Sequence, residues 1–149
     1  MIDFCVLGSG ISGSTIANLL SKKYSTIVID KAKGIGGRSS NKKINKLVSF
    51  DHGLQYFSPK SVNFKNYLKK LINKGILKHW DGNHIDLTLE KKINNKKIIG
   101  KKGNNDFNKY LLRSIKKNLN EEIKNIKFKG HYWEIYSNLN KYEAKNLII

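Results

Sequence analysis

Three glycines, Gly8, Gly10 and Gly13, stand at G-x-G-x-x-G spacing inside VLGSGISGSTIANLL, between a short apolar run and a helical pattern. That junction leaves few folds open. Ile2 to Leu7, apolar except for Asp3, has the length and β-branched content of a strand buried on both faces. From Ile11 to Lys23, the residues Ile16, Leu19 and Leu20 fall at helical spacing, and Thr26 to Ile29 is a second apolar run closed by Asp30. Strand, glycine turn, helix and strand in that order open a βαβ unit, and the chain is expected to be α/β with a parallel, doubly wound sheet.

In such a unit each glycine has a task. The first makes the tight turn, the second lets backbone approach a pyrophosphate, and the third lets the helix pack on the strand, with phosphates at the positive end of the helix. Asp30 follows at the spacing where an acid accepts hydrogen bonds from ribose hydroxyls. The alternative is a plain strand-to-helix turn. A second constellation, DKAKGIGGRSS from Asp30 to Ser40, puts a glycine pair and Arg38 after that acid, offering backbone donors and a guanidinium fork to a diphosphate. It also reads as a glycine-rich surface loop. The third, FDHGLQYF from Phe50 to Phe57, surrounds Gly53 with groups able to donate, accept or stack; equally, it is a turn before the next helix, with His52 an ordinary hydrogen-bonded histidine.

Further along, Lys33 to Val48 has no apolar period and is expected to be a loop, whereas Ser58 to Lys74 is expected to be helical, with Pro59 near its start and Gly75 as its stop. Ile76 to Trp80, His84 to Leu89 and Lys96 to Ile99 suggest short strands, and Asn105 to Leu119 another helix. Glu122 to Lys129 and Tyr132 to Tyr136 suggest a hairpin about Gly130, and Ala144 to Ile149 a last strand returning to the first two. This divides the chain into a dinucleotide-binding core over 1–57, inserted helices and short strands over 58–120, and a hairpin with a returning strand over 121–149.

A net charge of +18 by itself suggests nucleic acid or an anionic membrane as partner. Yet Lys, Ile and Asn make up about two fifths of the chain, as an A- and T-rich coding sequence dictates, and the lysines are scattered in pairs rather than gathered on one element. A solvated basic surface is the simpler reading, with neither nucleic acid nor membrane expected as partner. Tyr132, Trp133 and Tyr136 beside Lys127 and Lys129 come nearest to a basic nucleic-acid-binding module, but fit hairpin core better. The single cysteine, Cys5, allows no disulfide within the chain and no cysteine-based metal site, and a cytoplasmic location is expected. No acid-base pair or nucleophile stands out, so no catalytic residue is assigned.

The order GSGISG, DKAKGIGGRSS, FDHGLQYF, a helix ending near GILKHW, then IIGKKGNNDFNKYL resembles the N-terminal half of flavin-dependent amine-oxidase-type proteins, most closely renalase-like oxidoreductases. The resemblance implies a Rossmann-like FAD-binding domain and FAD as cofactor, with the flavin accepting hydride from an amine or a reduced nicotinamide-like substrate. It implies that Gly8, Ser9, Gly10, Ser12 and Gly13 hold the pyrophosphate, Asp30 the adenosine ribose and Arg38 a phosphate. Lys31 and Gly37 join them as cofactor contacts. Gly53, Leu54 and Gln55 would lie beside the flavin ring, and Ile123 near the adenine. Members of the family are longer than this chain and complete their flavin site with a later segment, so the chain is expected to be an N-terminal part. A non-catalytic nucleotide-binding remnant is the alternative.

Overall fold

A computed structural model describes residues 1–45, 47–81 and 97–149. The expected strand at His84 to Leu89 lies outside the described residues. The backbone begins β1 (Ile2–Leu7), α1 (Ile11–Leu20), β2 (Thr26–Asp30), then a one-turn 3₁₀ segment (Gly37–Ser39), β3 (Asn41–Lys43), β4 (Ser49–Asp51), α2 (Val62–Asn73) and β5 (Leu77–His79). It continues with β6 (Ile98–Gly100), α3 (Asp106–Leu111), β7 (Lys116–Leu119), β8 (Ile123–Phe128), β9 (Trp133–Ser137) and β10 (Lys141–Ile148).

Six strands form the main sheet in the order β7-β2-β1-β10-β9-β8. β1 pairs in parallel with both β2 and β10, as expected, and β2 pairs in parallel with β7. β10 serves two ladders. Its first half runs antiparallel to β9 and its second half parallel to β1, and the buried Ala144 sits opposite Trp133 on one side and Ile2 on the other.

Alternation along the central strands fills both faces of the sheet. On β2, Ile27 and Ile29 join Cys5, Ile135 and Ala144 on one face, while Val28 joins Val6, Ala17, Leu112 and Ile115 on the other, beneath α1. The end of the last strand packs on both faces, half-buried Leu147 against the first cluster and half-buried Ile148 against the second. A third cluster, with Phe57, Leu68, Leu71, Leu77, Phe107 and Leu111, joins α2 to α3 and to the β5–β6 pair. Ser61 caps α2 by accepting the Phe64 N–H at 3.2 Å, and Gly75, at φ +68°, turns the chain out of it.

Two expectations need correction. The helix expected over Asn105 to Leu119 stops at Leu111, and Lys116–Leu119 is an edge strand of the main sheet. The apolar period of Phe107, Tyr110, Leu111 and Ile115 runs on past the helix because Ile115 packs in the turn beneath α1, not on a helix face. The stretch Lys33 to Val48 is not all loop either: Asn41–Lys43 pairs antiparallel with Ser49–Asp51, an almost wholly polar ribbon without the alternation that marks a half-buried strand.

Candidate functional site

The glycine turn begins where β1 and β2 end, with the Gly8 N–H donating to the Ile29 carbonyl at 2.8 Å. Gly8 has φ +102°, a conformation open to glycine and costly for other residues. A Cβ on Gly13 would lie 2.1 Å from the Gly8 carbonyl oxygen, so the third glycine is what lets α1 sit against the turn. Among the described residues, nothing lies within 4 Å of such a Cβ on Gly10. No side chain caps α1, and its first backbone bond runs from Ser14 N–H to the Gly10 carbonyl at 2.8 Å. The N–H groups of Ile11, Ser12 and Gly13 are therefore left toward the open side, with the positive end of the helix dipole behind them.

That open side is a cleft of about 940 Å³ lined by Gly8, Gly10, Ser12, Gly13, Gly37, Arg38, Gly53 and Leu54, with Ile148 from the end of β10. The three motifs meet there in backbone contact. A Cβ on Gly37, at φ +54°, would lie 3.1 Å from the Gly10 Cα, and one on Gly53 would lie 2.1 Å from the Arg38 carbonyl oxygen, so neither position has room for a side chain. The Leu54 N–H donates to that carbonyl at 2.7 Å. Arg38 is thus anchored through its backbone, and its exposed guanidinium enters none of the ion pairs among the described residues.

Leu7 and Gly8 also line a second cleft of about 320 Å³, with Asp30, Lys31, Glu121, Glu122 and Ile123. The two clefts thus lie on either side of the glycine turn. The far wall of the second exists because the chain leaving β7 folds back: Asn120, at φ +58°, donates to the Ala32 carbonyl at 2.9 Å, and the Glu121 N–H to that of Asp30 at 3.0 Å. Burial pushes the Glu121 carboxyl up, but donors from Ser137, Tyr142 and Asn140 outweigh it and hold the group below the usual carboxylate value. The buried Cys5 thiol is pushed up to about 12 by its burial and then by the Glu121 charge, which keeps it an inert part of the core.

Ser9 does not face the cleft. It is fully buried, and its N–H and hydroxyl donate to Asp30 Oδ2 at 2.7 and 2.5 Å. Asp30 Oδ1 accepts the Ala32 N–H at 2.9 Å, which leaves one of its lone-pair directions for a further donor. The exposed Gln55 takes part through its backbone, its carbonyl accepting from Asn104 at 3.1 Å.

Sequence reasoning missed the asparagines that hold these loops together. Asn108, fully buried, donates to the Ser9 carbonyl and the Ser14 hydroxyl, and accepts the Ser39 hydroxyl at 2.7 Å. Asn105 donates to the Ile35 carbonyl at 3.3 Å. Asn104, also fully buried, donates to the Leu54 carbonyl at 2.6 Å and accepts the Gly100 N–H at 2.9 Å, while its own N–H donates to Asp51 at 2.9 Å. The only trace in the sequence is the run NNDFN, whose first and last members lie one helical turn apart.

Residues 6–71 match the family model of an NAD(P)-binding Rossmann-like domain. Among solved structures, the chain is similar to a putrescine oxidase bound to putrescine, at 13% identity and a TM-score of 0.74, over 99% of this chain and 57% of that one. A tetracycline destructase matches at 14% identity and a TM-score of 0.59, over 99% of this chain and 37% of the other. A halogenase in complex with phloroglucinol and FAD matches at 15% and 0.59, over 98% and 33%. These likenesses establish the Rossmann-like α/β fold, and the chain spans little more than half the length of the oxidase.

Proposed function

We propose that this chain is the FAD-binding portion of a flavin-dependent oxidoreductase whose flavin takes hydride from an amine or a reduced nicotinamide-like substrate. The observation that carries the reading is that the two clefts flank the glycine turn and share Leu7 and Gly8 as lining residues. One arm offers an acid with a free acceptor direction beside Ile123, the middle offers uncapped helix N–H groups over an open Gly10, and the other arm ends at Gly53 and Leu54. A two-part ligand with anionic phosphates between two ring systems fits that sequence of chemistries.

In this reading Asp30 accepts from the adenosine ribose, α1 and Arg38 receive the pyrophosphate, and the 53–55 backbone lies along the isoalloxazine. Bound flavin supplies the hydride-accepting chemistry; the chain's residues bind and orient it. The putrescine oxidase and the FAD-bound halogenase support the cofactor class through their shared fold.

The test is titration of the purified chain with FAD, FMN and NAD, followed by flavin fluorescence and calorimetry. FAD should bind saturably and more tightly than FMN, which lacks the adenosine half. Equal binding of FAD and FMN, or none of FAD, overturns the reading. Anaerobic bleaching of the bound flavin by an amine or by a reduced nicotinamide then identifies the donor.

A further inference from the structure

Asn18 of α1, one side of α2 and the end of α3 enclose a separate cleft of about 430 Å³ that, among the described residues, shares no lining residue with the dinucleotide groove. Leu71, 2% exposed, is its apolar floor, Tyr67 and Tyr110 give it phenol walls, and Lys70, Lys74 and Arg113 supply its charge. Among the described residues, no carboxylate lines it. The ion pairs among the described residues lie elsewhere and take none of these three cations.

The charge is held in place. Arg113 Nη1 donates to the Tyr110 carbonyl at 2.6 Å, and its guanidinium carbon lies 4.0 Å from the centroid of the Tyr110 ring. Lys74 Nζ reaches the same residue, donating to the phenol oxygen at 2.9 Å and standing 5.5 Å from the ring centroid. The ring face offsets part of the repulsion between two cations so placed. An anion between them would remove the rest. The Tyr110 phenol responds to that field: the hydrogen bond from Lys74, and then the Arg113 charge, hold its ionisation below the usual tyrosine value. An arginine fixed by a carbonyl and a ring keeps its remaining donors oriented as a fork, the geometry a carboxylate matches.

We propose that this cleft binds a small aromatic carboxylate, its carboxylate received by Arg113 and Lys74 and its ring lodged over Leu71 between the two tyrosines. The site stands on its own geometry and does not depend on the flavin reading.

The experiment uses the full chain with three probes, benzoate, its neutral isostere benzamide, and inorganic phosphate, measured by calorimetry and by ultraviolet titration of tyrosine. Benzoate should bind at one saturable site, with benzamide and phosphate each about tenfold weaker, as expected when a charged hydrogen bond or the ring contact is lost. Arg113→Gln and Lys74→Gln should each weaken benzoate about tenfold, while Lys42→Gln on β3 leaves it unchanged. Bound benzoate should also raise the phenol midpoint, a shift absent in Tyr110→Phe. Lys74 lies at the exposed end of α2, so its variant carries the test if Arg113→Gln fails to fold. Absence of saturable benzoate binding, equal affinity for benzamide, or an equal loss in Lys42→Gln overturns the proposal. Phosphate binding tighter than benzoate overturns the aromatic class.

Discussion

Asn108 and Ser9, 99 residues apart in sequence, are joined by a buried hydrogen bond from the Asn108 amide to the Ser9 carbonyl at 3.2 Å. Because Asn108 also accepts from Ser39, this one side chain spans the glycine turn and the loop that carries Arg38. Asn108→Ala would remove three buried hydrogen bonds, to the Ser9 carbonyl, the Ser14 hydroxyl and the Ser39 hydroxyl, leaving the Ser9 carbonyl only the Ser14 hydroxyl and the Ser39 hydroxyl only the Gly36 carbonyl, at a cost of about 1–3 kcal/mol. We expect the melting temperature to fall by roughly 2–10 °C for a chain of this size. An unchanged melting curve would show that the two loops hold their register without it.

Gly10 and Gly13 should respond oppositely to the same change. Gly13→Ala drives a methyl into the Gly8 carbonyl and should destabilise the chain without any ligand, by about 1–3 kcal/mol. Gly10→Ala meets nothing among the described residues of the free protein, so its fold should survive while its methyl occupies the approach to the helix N–H groups and weakens FAD. Thermal melts without FAD, set beside FAD titrations, separate the two effects. Equal melting losses in both variants would contradict the geometry.

The parts of this fold legible in the sequence are those where one strand or one turn carries its own constraint. β1, β2 and β10 read as strands because Cys5, Val6, Ile27, Val28, Ile29 and Leu147 lie in short apolar runs that must be covered on both faces. The glycines read as a turn from their spacing after an apolar run, and two of them, Gly8 and Gly13, are irreplaceable locally. β7 did not, since an edge strand carrying Lys116 and Lys117 has no apolar run to show, and solvated lysines suit such an edge. Asn104, Asn105 and Asn108 were hidden for a different reason: asparagine is abundant in this chain, and their partners, such as Leu54 and Ser9, come from distant segments.

Acid should weaken the hairpin side of the sheet through Glu134. Its carboxylate accepts from Lys141 at 2.7 Å and from the Tyr136 hydroxyl at 2.8 Å, and its pKa is lowered from 4.5 to about 2, first by the Lys141 hydrogen bond. A carboxyl lowered in the folded state contributes stability that is present above its unfolded value and lost as pH falls toward the folded one. The difference in melting temperature between the parent and Glu134→Gln should therefore be constant from neutral pH to about 5 and shrink between 4.5 and 2. A difference that persists unchanged at the acid end would assign the effect of the variant to packing.

Arg38 offers the sharpest test of the phosphate-binding part of the groove, because its structural and ligand-facing duties lie on different atoms. The carbonyl that holds Leu54 is backbone and survives any substitution, so Arg38→Lys should leave the ligand-free melting temperature unchanged. Lysine keeps the positive charge but replaces a planar fork with a point charge, so a bidentate contact to the pyrophosphate would be lost while long-range attraction stays. We expect FAD to bind about tenfold more weakly, the equivalent of one charge-assisted hydrogen bond, with adenosine affinity unchanged because adenosine has no phosphate. Lys42→Ala, which removes a whole charge from the nearby β3, should cost less than Arg38→Lys, which removes none. If the two variants weaken FAD equally, the cleft attracts the cofactor through diffuse charge and Arg38 makes no directed contact.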